Sequence, residues 1–324
     1  MVFPRAVPRS ADMIEVFAPA KVNLYLEVIG RRDDGYHDLR SIVMPISLCD
    51  RVVVESTSGD IETTMAVDPA IRQEGTDGTC SSDNLATRAA AELKKATGVS
   101  KGARIAIEKK IPIGGGLGGG SADAAAVLVA ADKLWKTNLP VRHLMEIGSR
   151  VGCDVPALIH GGVVRMEGRG ELVSPCFDDG YRPEGAWWLV VVNPGFQVST
   201  GDIYRRYSTG LTKCNGGYKN IRLALRENDV ALAAAGLFNS LQDTVFRKYP
   251  VIEMAVESLK GAGALNAIVS GSGASAFGLA SSEEHAKHVA AGVAARMEQA
   301  VWTHVVKTLP GGVTVAHGPL EPFV

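Results

Sequence analysis

The residues with the most evident chemical potential form one loop, Ile111–Pro112–Ile113–Gly114–Gly115–Gly116–Leu117–Gly118–Gly119–Gly120–Ser121, in which six of the seven residues 114–120 are glycine. Without Cβ atoms, the backbone can take positive φ and turn several N–H groups toward one ligand. The loop follows an alternating segment, Ala103–Glu108. It precedes an alanine-rich apolar run that reads as a helix over Ser121–Trp135, with Ser121 as N-cap and Asp123 in the first turn. A glycine loop opening onto a helix N-terminus is an anion cradle, and a polyphosphate is its natural occupant. Gly114, Gly116 and Gly119 also satisfy G-x-G-x-x-G, the dinucleotide fingerprint, which calls for an acidic residue ending a following strand. Asp132 has nearly the right spacing but falls inside the predicted helix. A P-loop needs a lysine before the serine, and Gly120 stands there. A packed glycine turn without a ligand is the remaining alternative.

The loop must be held by its surroundings. A chain of 324 residues is longer than one core usually covers, so two domains are expected. Strands are expected over Asn23–Gly30, Arg40–Ser47, Asp50–Ser56, Ala103–Glu108 and Gly162–Met166, with a turn at Arg31–Gly35. Asp83 or Asn84 caps a helix running to about Lys95, and another helix starts near Pro140 with Leu144, Ile147 and Val151 on one face. The polar stretch Cys176–Gly185 divides the chain into expected domains 1–180 and 181–324. Beyond it come a strand at Trp187–Val192 and helices at Val230–Asn239 and Val251–Leu259. Two strands, Asn266–Val269 and Ala276–Ala280, then flank a Gly-Ser-Gly-Ala-Ser turn, followed by a helix at Glu283–Gln299 and a strand at Val301–Val306. Strands and helices mix without steady βαβ alternation, which favours an α+β fold in both halves.

Composition narrows the partners. Lys plus Arg number 34 and Asp plus Glu 35, so no bulk charge draws the chain to nucleic acid or a membrane. The five cysteines, Cys49, Cys80, Cys153, Cys176 and Cys214, form no C-x-x-C pair and read as free thiols in a reducing compartment. Met1–Ala11 lacks the apolar core of a signal peptide, and no apolar run approaches membrane-spanning length. The expectation is a soluble cytoplasmic protein, monomer or homodimer, acting on a small molecule.

Three segments together resemble the GHMP kinases: Pro19–Ala20–Lys21–Val22–Asn23–Leu24, the glycine loop from Pro112 to Ala122, and Ser270–Gly271–Ser272–Gly273–Ala274–Ser275. Asp34–Gly35–Tyr36–His37, Gly152–Cys153–Asp154–Val155–Pro156, and Asn193–Pro194–Gly195 leading to Ser199–Thr200 and Tyr204 resemble the branch acting on a cytidine-diphosphate-linked methylerythritol. The resemblance spans about 16–306. Departures are Ala274–Ser275 where the family often has Pro-Thr, and Asn239–Ser240–Leu241–Gln242 where it has Asn-Asp-Leu-Glu.

The resemblance implies two α+β domains, an N-terminal one like ribosomal protein S5 and a ferredoxin-like C-terminal one, with the site between them. It also implies phosphoryl transfer from ATP, with magnesium, to the 2-hydroxyl of the methylerythritol unit. Asp154 becomes the base, or else merely the cap of a helix before Pro156; Lys21 becomes its partner, or else a solvated lysine. Asn23, two residues along an extended strand, shares the face of Lys21 and is a substrate contact or a polar strand-end residue. Tyr36 stacks on cytosine, His37 reads the base edge, and Tyr204 supplies a second face; ordinary packing is the alternative for each. Asn84, Leu85 and Lys109 become adenosine-side contacts, with Asn84 equally readable as a helix cap. Pro112, Gly114, Gly115, Gly116, Leu117, Gly118, Gly119, Gly120 and Ser121 hold the phosphates, and Ser121 touches a phosphate or the magnesium or only caps. Gly271 and Gly273 offer N–H groups to the acceptor, or form a plain hairpin turn. No protein cluster of metal ligands is expected: His285 and His288 read as a solvated helix face. Cys153 reads as a small buried residue rather than a nucleophile, and Trp187–Trp188 as core.

Overall fold

A computed structural model describes residues 12–72, 77–207, 216–297 and 301–315. Cys214 and Met1–Ala11 lie outside them. β1 (Met13–Arg31) and β2 (His37–Thr57) form a long antiparallel hairpin around the Arg-Asp-Asp-Gly turn. The two strands expected at 40–47 and 50–56 are one, because β2 continues through Cys49 and Asp50. Register shifts in β1 between Pro19 and Lys21 and between Asn23 and Tyr25 bracket the segment carrying Lys21 and Asn23. Such bulges re-aim side chains at functional edges. β3 (Ile61–Val67) and the short β4 (Gly78–Thr79) extend the sheet, and β5 (Gly102–Lys109) inserts between β2 and β3.

Three helices and a short fourth cover one face. Asn84 caps α1 (Leu85–Thr97) by accepting from the Ala86 N–H, as one of the two sequence readings had it. α2 (Gly119–Trp135) starts two residues earlier than Ser121, because Gly118 at φ 71° opens the helix. Ser121 is therefore inside the first turn and is not the cap. α2 is buried along nearly its whole length, and its alanines let the sheet and neighbouring helices approach closely. α3 (Val141–Val151) buries Leu144, Ile147 and Val151 as their spacing predicts. α4 (Val155–His160) starts immediately after Asp154. β6 (Val164–Gly168) pairs with β2, and β7 (Leu172–Pro175) with β6.

The second half builds a four-stranded antiparallel sheet. β8 (Trp188–Asn193) is followed by α5 (Thr200–Arg206), α6 (Gly217–Glu227) and α7 (Val230–Gly236). The helix expected to reach Asn239 stops at Gly236, because Phe238–Asn239 forms a short parallel strand, β9, beside Tyr25 and Leu26 of β1. α8 (Gln242–Lys248), α9 (Pro250–Gly261), β10 (Asn266–Val269), β11 (Ala276–Ala280), α10 (Glu283–Arg296), β12 (Trp302–Lys307) and β13 (Thr314–Val315) complete the chain. The small sheet runs β10-β11-β8-β12, with Ile252, Val256 and Leu259 of α9 and Val289 and Val293 of α10 in its core. β9 and β13 instead join β1 in the large sheet. Trp187 is buried and Trp188 packs half-buried against the second core.

Candidate active site

Four consecutive loop carbonyls are held by other parts of the molecule. Gly114 O accepts from Val198 N (3.2 Å), Gly115 O from Ser275 N (2.9 Å), and Leu117 O from Lys21 N (2.9 Å). Gly116 O accepts from Ser270 Oγ at 3.0 Å. In a trans peptide the next N–H points opposite to the carbonyl, so the N–H groups of Gly116, Leu117 and Gly118 turn away from these anchors. The first turn of α2 adds those of Gly119, Gly120 and Ser121, which no side chain caps. Leu117's side chain is fully buried, leaving only its backbone for a ligand. Glycine is needed at 116 on two counts: φ is 75°, and a Cβ would sit 2.2 Å from Ser270 O.

The loop lines a cavity of about 890 Å³, which falls in the range of small-molecule sites. Lys21 and Asp154 meet in it. Lys21 is almost wholly buried; its Nζ donates to Asn23 Oδ1 at 2.8 Å and lies 3.3 Å from Asp154 Oδ2. Asn23 Nδ2 passes the connection to Ser41 Oγ (2.9 Å), which donates to Tyr25 O (2.6 Å). The lysine's orientation is thus fixed from behind. Asp154 occupies the N-cap position of α4, yet its side chain makes no cap bond. Its carboxylate faces Lys21 instead and stays about one-third exposed to the cavity. A Cβ on Gly118 would stand 3.0 Å from Lys21 Cγ and 3.6 Å from Asp154 Oδ2, so the pair lies directly against the glycine loop.

One end of the cavity is aromatic. Tyr36 is largely exposed, with the Arg169 guanidinium 5.0 Å from its ring centre. His37 is buried against Tyr204 (5.5 Å between ring centres) and Tyr207 (6.0 Å). Burial, reinforced by the charge of Arg31, lowers the His37 imidazole below the usual histidine value. Burial, and secondarily the nearby Asp154, drives the Tyr204 phenol well up, keeping it a neutral donor. Asn84, Leu85 and Met65 also line the wall, together with Pro112 and Ile113.

Some sequence expectations change in detail. Lys109 borders the cavity, but its buried Nζ is clamped 2.5 Å from both Asp50 Oδ2 and Asp123 Oδ2. It therefore ties the end of β5 to α2 rather than presenting a free ammonium to adenosine. The two carboxylates outweigh the cost of burial and push its proton affinity up; burial drives the Asp123 acid upward in turn. Asp50 Oδ1 accepts from the N–H groups of Lys110 (2.6 Å) and Ile111 (2.8 Å), fixing the chain as it enters the loop. Gly273's N–H donates to Ser270 O at 3.0 Å, within its own turn, and is not offered to an acceptor. Gly271 and Ser272 do line the cavity, with Ser272 Oγ 2.8 Å from Thr200 Oγ1. Cys153 is exposed along the cavity wall, not buried, because it precedes the first turn of α4; partial desolvation by the surrounding protein, and Asp154 beside it, push the thiol up, away from the reactive thiolate. His285 hydrogen-bonds Ser281 Oγ and Gly263 O through its two ring nitrogens.

The departures from the family pattern also find partners. Ser240 Oγ accepts from Val28 N at 3.1 Å, and Gln242 Oε1 from Val269 N at 3.2 Å. A neutral oxygen suffices for each of these two bonds, because the donor is a backbone N–H. Ser41, Asp50, Arg169 and Ser272 were not singled out from the sequence. An acid inside the apolar run around 50 was a signal for Asp50; nothing local marked the others.

A glycine loop between a strand and a helix, a lysine–aspartate pair against it, and a C-terminal glycine turn buttressing it are the arrangement that the resemblance to the GHMP small-molecule kinases leads one to expect. The family model described as GHMP kinases N terminal domain matches residues 84–162, and that described as GHMP kinases C terminal matches 221–299. A 4-diphosphocytidyl-2-C-methyl-D-erythritol kinase of Geobacter metallireducens is 41% identical over 274 residues, 84% of this chain and 91% of that protein. One of Pelotomaculum thermopropionicum is 39% identical over 280 residues, 86% of this chain and 93% of the other. A solved 4-(cytidine 5′-diphospho)-2C-methyl-D-erythritol kinase superposes with TM-score 0.71 at 33% identity, covering 90% of this chain and 99% of that one. Homoserine kinase from Cytophaga hutchinsonii (TM-score 0.72, 19% identity, 96% of this chain and 100% of that one) shares the fold. The chain belongs to the GHMP kinases and, within them, to the family of 4-diphosphocytidyl-2-C-methyl-D-erythritol kinases.

Proposed function

We propose that this protein transfers the γ-phosphate of ATP to the 2-hydroxyl of 4-(cytidine 5′-diphospho)-2-C-methyl-D-erythritol, in the non-mevalonate route to isoprenoid precursors. The observation that carries the reading is the contact of the Lys21–Asp154 pair with Gly118, in a cavity that continues to Tyr36 and His37. Phosphoryl transfer is mostly alignment and charge stabilisation. ATP lies with its phosphates on the N–H groups of 116–121 and its adenosine toward Asn84, Leu85 and Met65. Asp154 accepts the hydroxyl proton as the oxygen attacks phosphorus, and Lys21, steadied by Asn23 and Ser41, offsets negative charge at the reacting oxygens. The acceptor hydroxyl is tertiary and a poor nucleophile, so its placement matters more than the strength of the base. Tyr36 gives the cytosine a ring face, and neutral His37 can read its edge. Tyr204 packs on His37 and holds it there.

Magnesium is proposed to accompany ATP, where it neutralises phosphate charge. The fit rests on oxygen donors: Ser121 lines the cavity, and Asp123 Oδ1 is a buried oxygen without a hydrogen-bond partner. Mg²⁺ needs only one or two such groups beside phosphates and water. The chain divides near 180/181 into a domain carrying the cradle and one carrying the buttressing turn, with β9 and β13 reaching back. We place the reaction in the cytoplasm; among the described residues no helix is long and apolar enough to cross a membrane.

The test is ADP formation with ATP, magnesium and a panel of acceptors. The reading expects turnover with the cytidine-diphospho sugar alcohol and none with homoserine or mevalonate. Well-folded protein that binds ATP but turns over none of the three, or prefers another of them, contradicts the substrate assignment and leaves the kinase fold standing.

A further inference from the structure

The hairpin between β6 and β7 carries one side chain into the cavity, and the mechanism above does not use it. Gly168 (φ 66°) and Gly170 (φ 108°) shape its tip, closed by Gly170 N donating to Glu167 O at 3.1 Å. Glu171 folds back and accepts from the Arg169 N–H at 2.6 Å. This built turn presents Arg169, whose guanidinium covers Tyr36. Its neighbour Gly170 packs on the other side: a Cβ there would stand 3.5 Å from Cys153 Cβ, one residue before Asp154. Arg169 therefore bridges the aromatic end of the cavity and the reacting end.

The other cations lining the cavity are tightly compensated. Lys21 has Asp154 at 3.3 Å, Arg205 has Asp202 at 3.2 Å, and Lys109 has two carboxylates at 2.5 Å. Arg169 has Glu171 at 4.0 Å and the Asp34 carboxylate acting on it from further off, and it makes no closer ion pair among the described residues. A ligand with a base at Tyr36 and a hydroxyl at Asp154 must run its connecting group past this guanidinium. Arginine's planar fork can stack on an aromatic face and still offer its N–H edge to phosphate oxygens. Resting on the acceptor reading proposed above, we propose that Arg169 is a specificity-determining residue. It recognises the diphosphate that links cytidine to the sugar alcohol, with its face on Tyr36 and its edge on the phosphates.

The test compares binding of cytidine 5′-diphosphate and of cytidine to wild type, Arg169→Ala and Arg169→Lys by calorimetry, with the ATP site filled by a non-hydrolysable analogue. Hydrogen bonds to charged groups predict a loss of about 10- to 100-fold for the diphosphate in Arg169→Ala. Cytidine should change by less than about 3-fold, and Arg169→Lys should recover part of the loss as a point charge. An equal loss for both ligands would mean that Arg169 only braces Tyr36, and unchanged diphosphate binding would remove it from recognition; either overturns the proposal. Wild-type protein that binds neither ligand overturns the acceptor reading and this inference with it. Wild type that binds both, with no selective loss in the variants, overturns this inference alone.

Discussion

At the scale of single residues, the two buried lysines keep different company. Lys21 meets a carboxylate that remains open to the cavity; Lys109 meets two that do not. Removing one partner of a buried ionic cluster leaves the others uncompensated. Lys109→Met should therefore cost about 3–5 kcal/mol of stability, read by chemical denaturation. A loss below about 1 kcal/mol would show that the cluster is not a structural tie. His37 gives a pH prediction. Its folded-state proton affinity is lowered, so the unfolded chain binds the proton more readily and the contribution of the neutral ring is lost as pH falls. The stability gap between wild type and His37→Gln should be full above about pH 6.5 and narrow below it; a pH-independent gap would contradict this. Lys21, Asn23 and Asp154 could be named from the sequence because a strand's two-residue period and the motifs around them are local. An acid in an apolar run marked Asp50, but its role could not be read there, since its partners at 109, 110, 111 and 123 come to it only through the pairing of β2 with β5 and the packing of α2.

At the scale of elements, the loop is a device assembled from both halves. Its carbonyls are fixed by β1, by the segment before α5, and by the turn between β10 and β11. Gly116→Ala tests this, because its Cβ has no room against Ser270 O and its φ is unfavourable for alanine. KM for ATP should rise at least about tenfold, with strain of roughly 1–3 kcal/mol. An unchanged KM would mean that the cradle tolerates displacement from the turn. The strand–loop–helix order around the loop was legible from alternation and glycine content. The start of α2 was not, because a left-handed glycine opens a helix without a side-chain cap and leaves no polar signal in the sequence. Likewise, Phe238–Asn239 continued an apolar helical pattern, and only the edge of β1 makes them a strand.

At the scale of the molecule, the small sheet is shared between two cores: Leu189, Val191, Phe277 and Leu279 pack into the core of the large sheet, and Val190, Val192 and Ala276 face α9 and α10. The chain also crosses between the sheets more than once. β9 and β13 lie far along the sequence and complete the large sheet, and Ile46 also bridges to Thr308. The residues after 181 are thus part of the first sheet's edge. A single cooperative unfolding transition is expected in urea by both fluorescence and far-ultraviolet circular dichroism. Two separated transitions would indicate halves that fold independently. The sequence suggested two α+β halves through its composition break at 176–185, but it carried no sign of the returning strands, which are only two residues long.

The central claim is that Asp154, turned from its helix toward Lys21, takes the proton from the acceptor. The most direct measurement is steady-state kinetics of Asp154→Asn with ATP and the cytidine-diphospho sugar alcohol. Loss of a general base should lower kcat by about 10²- to 10⁴-fold, with both KM values within a few-fold of wild type, since the amide preserves shape and leaves both binding ends intact. A kcat near wild type, with the effect confined to KM, would contradict the account and reduce Asp154 to a binding residue.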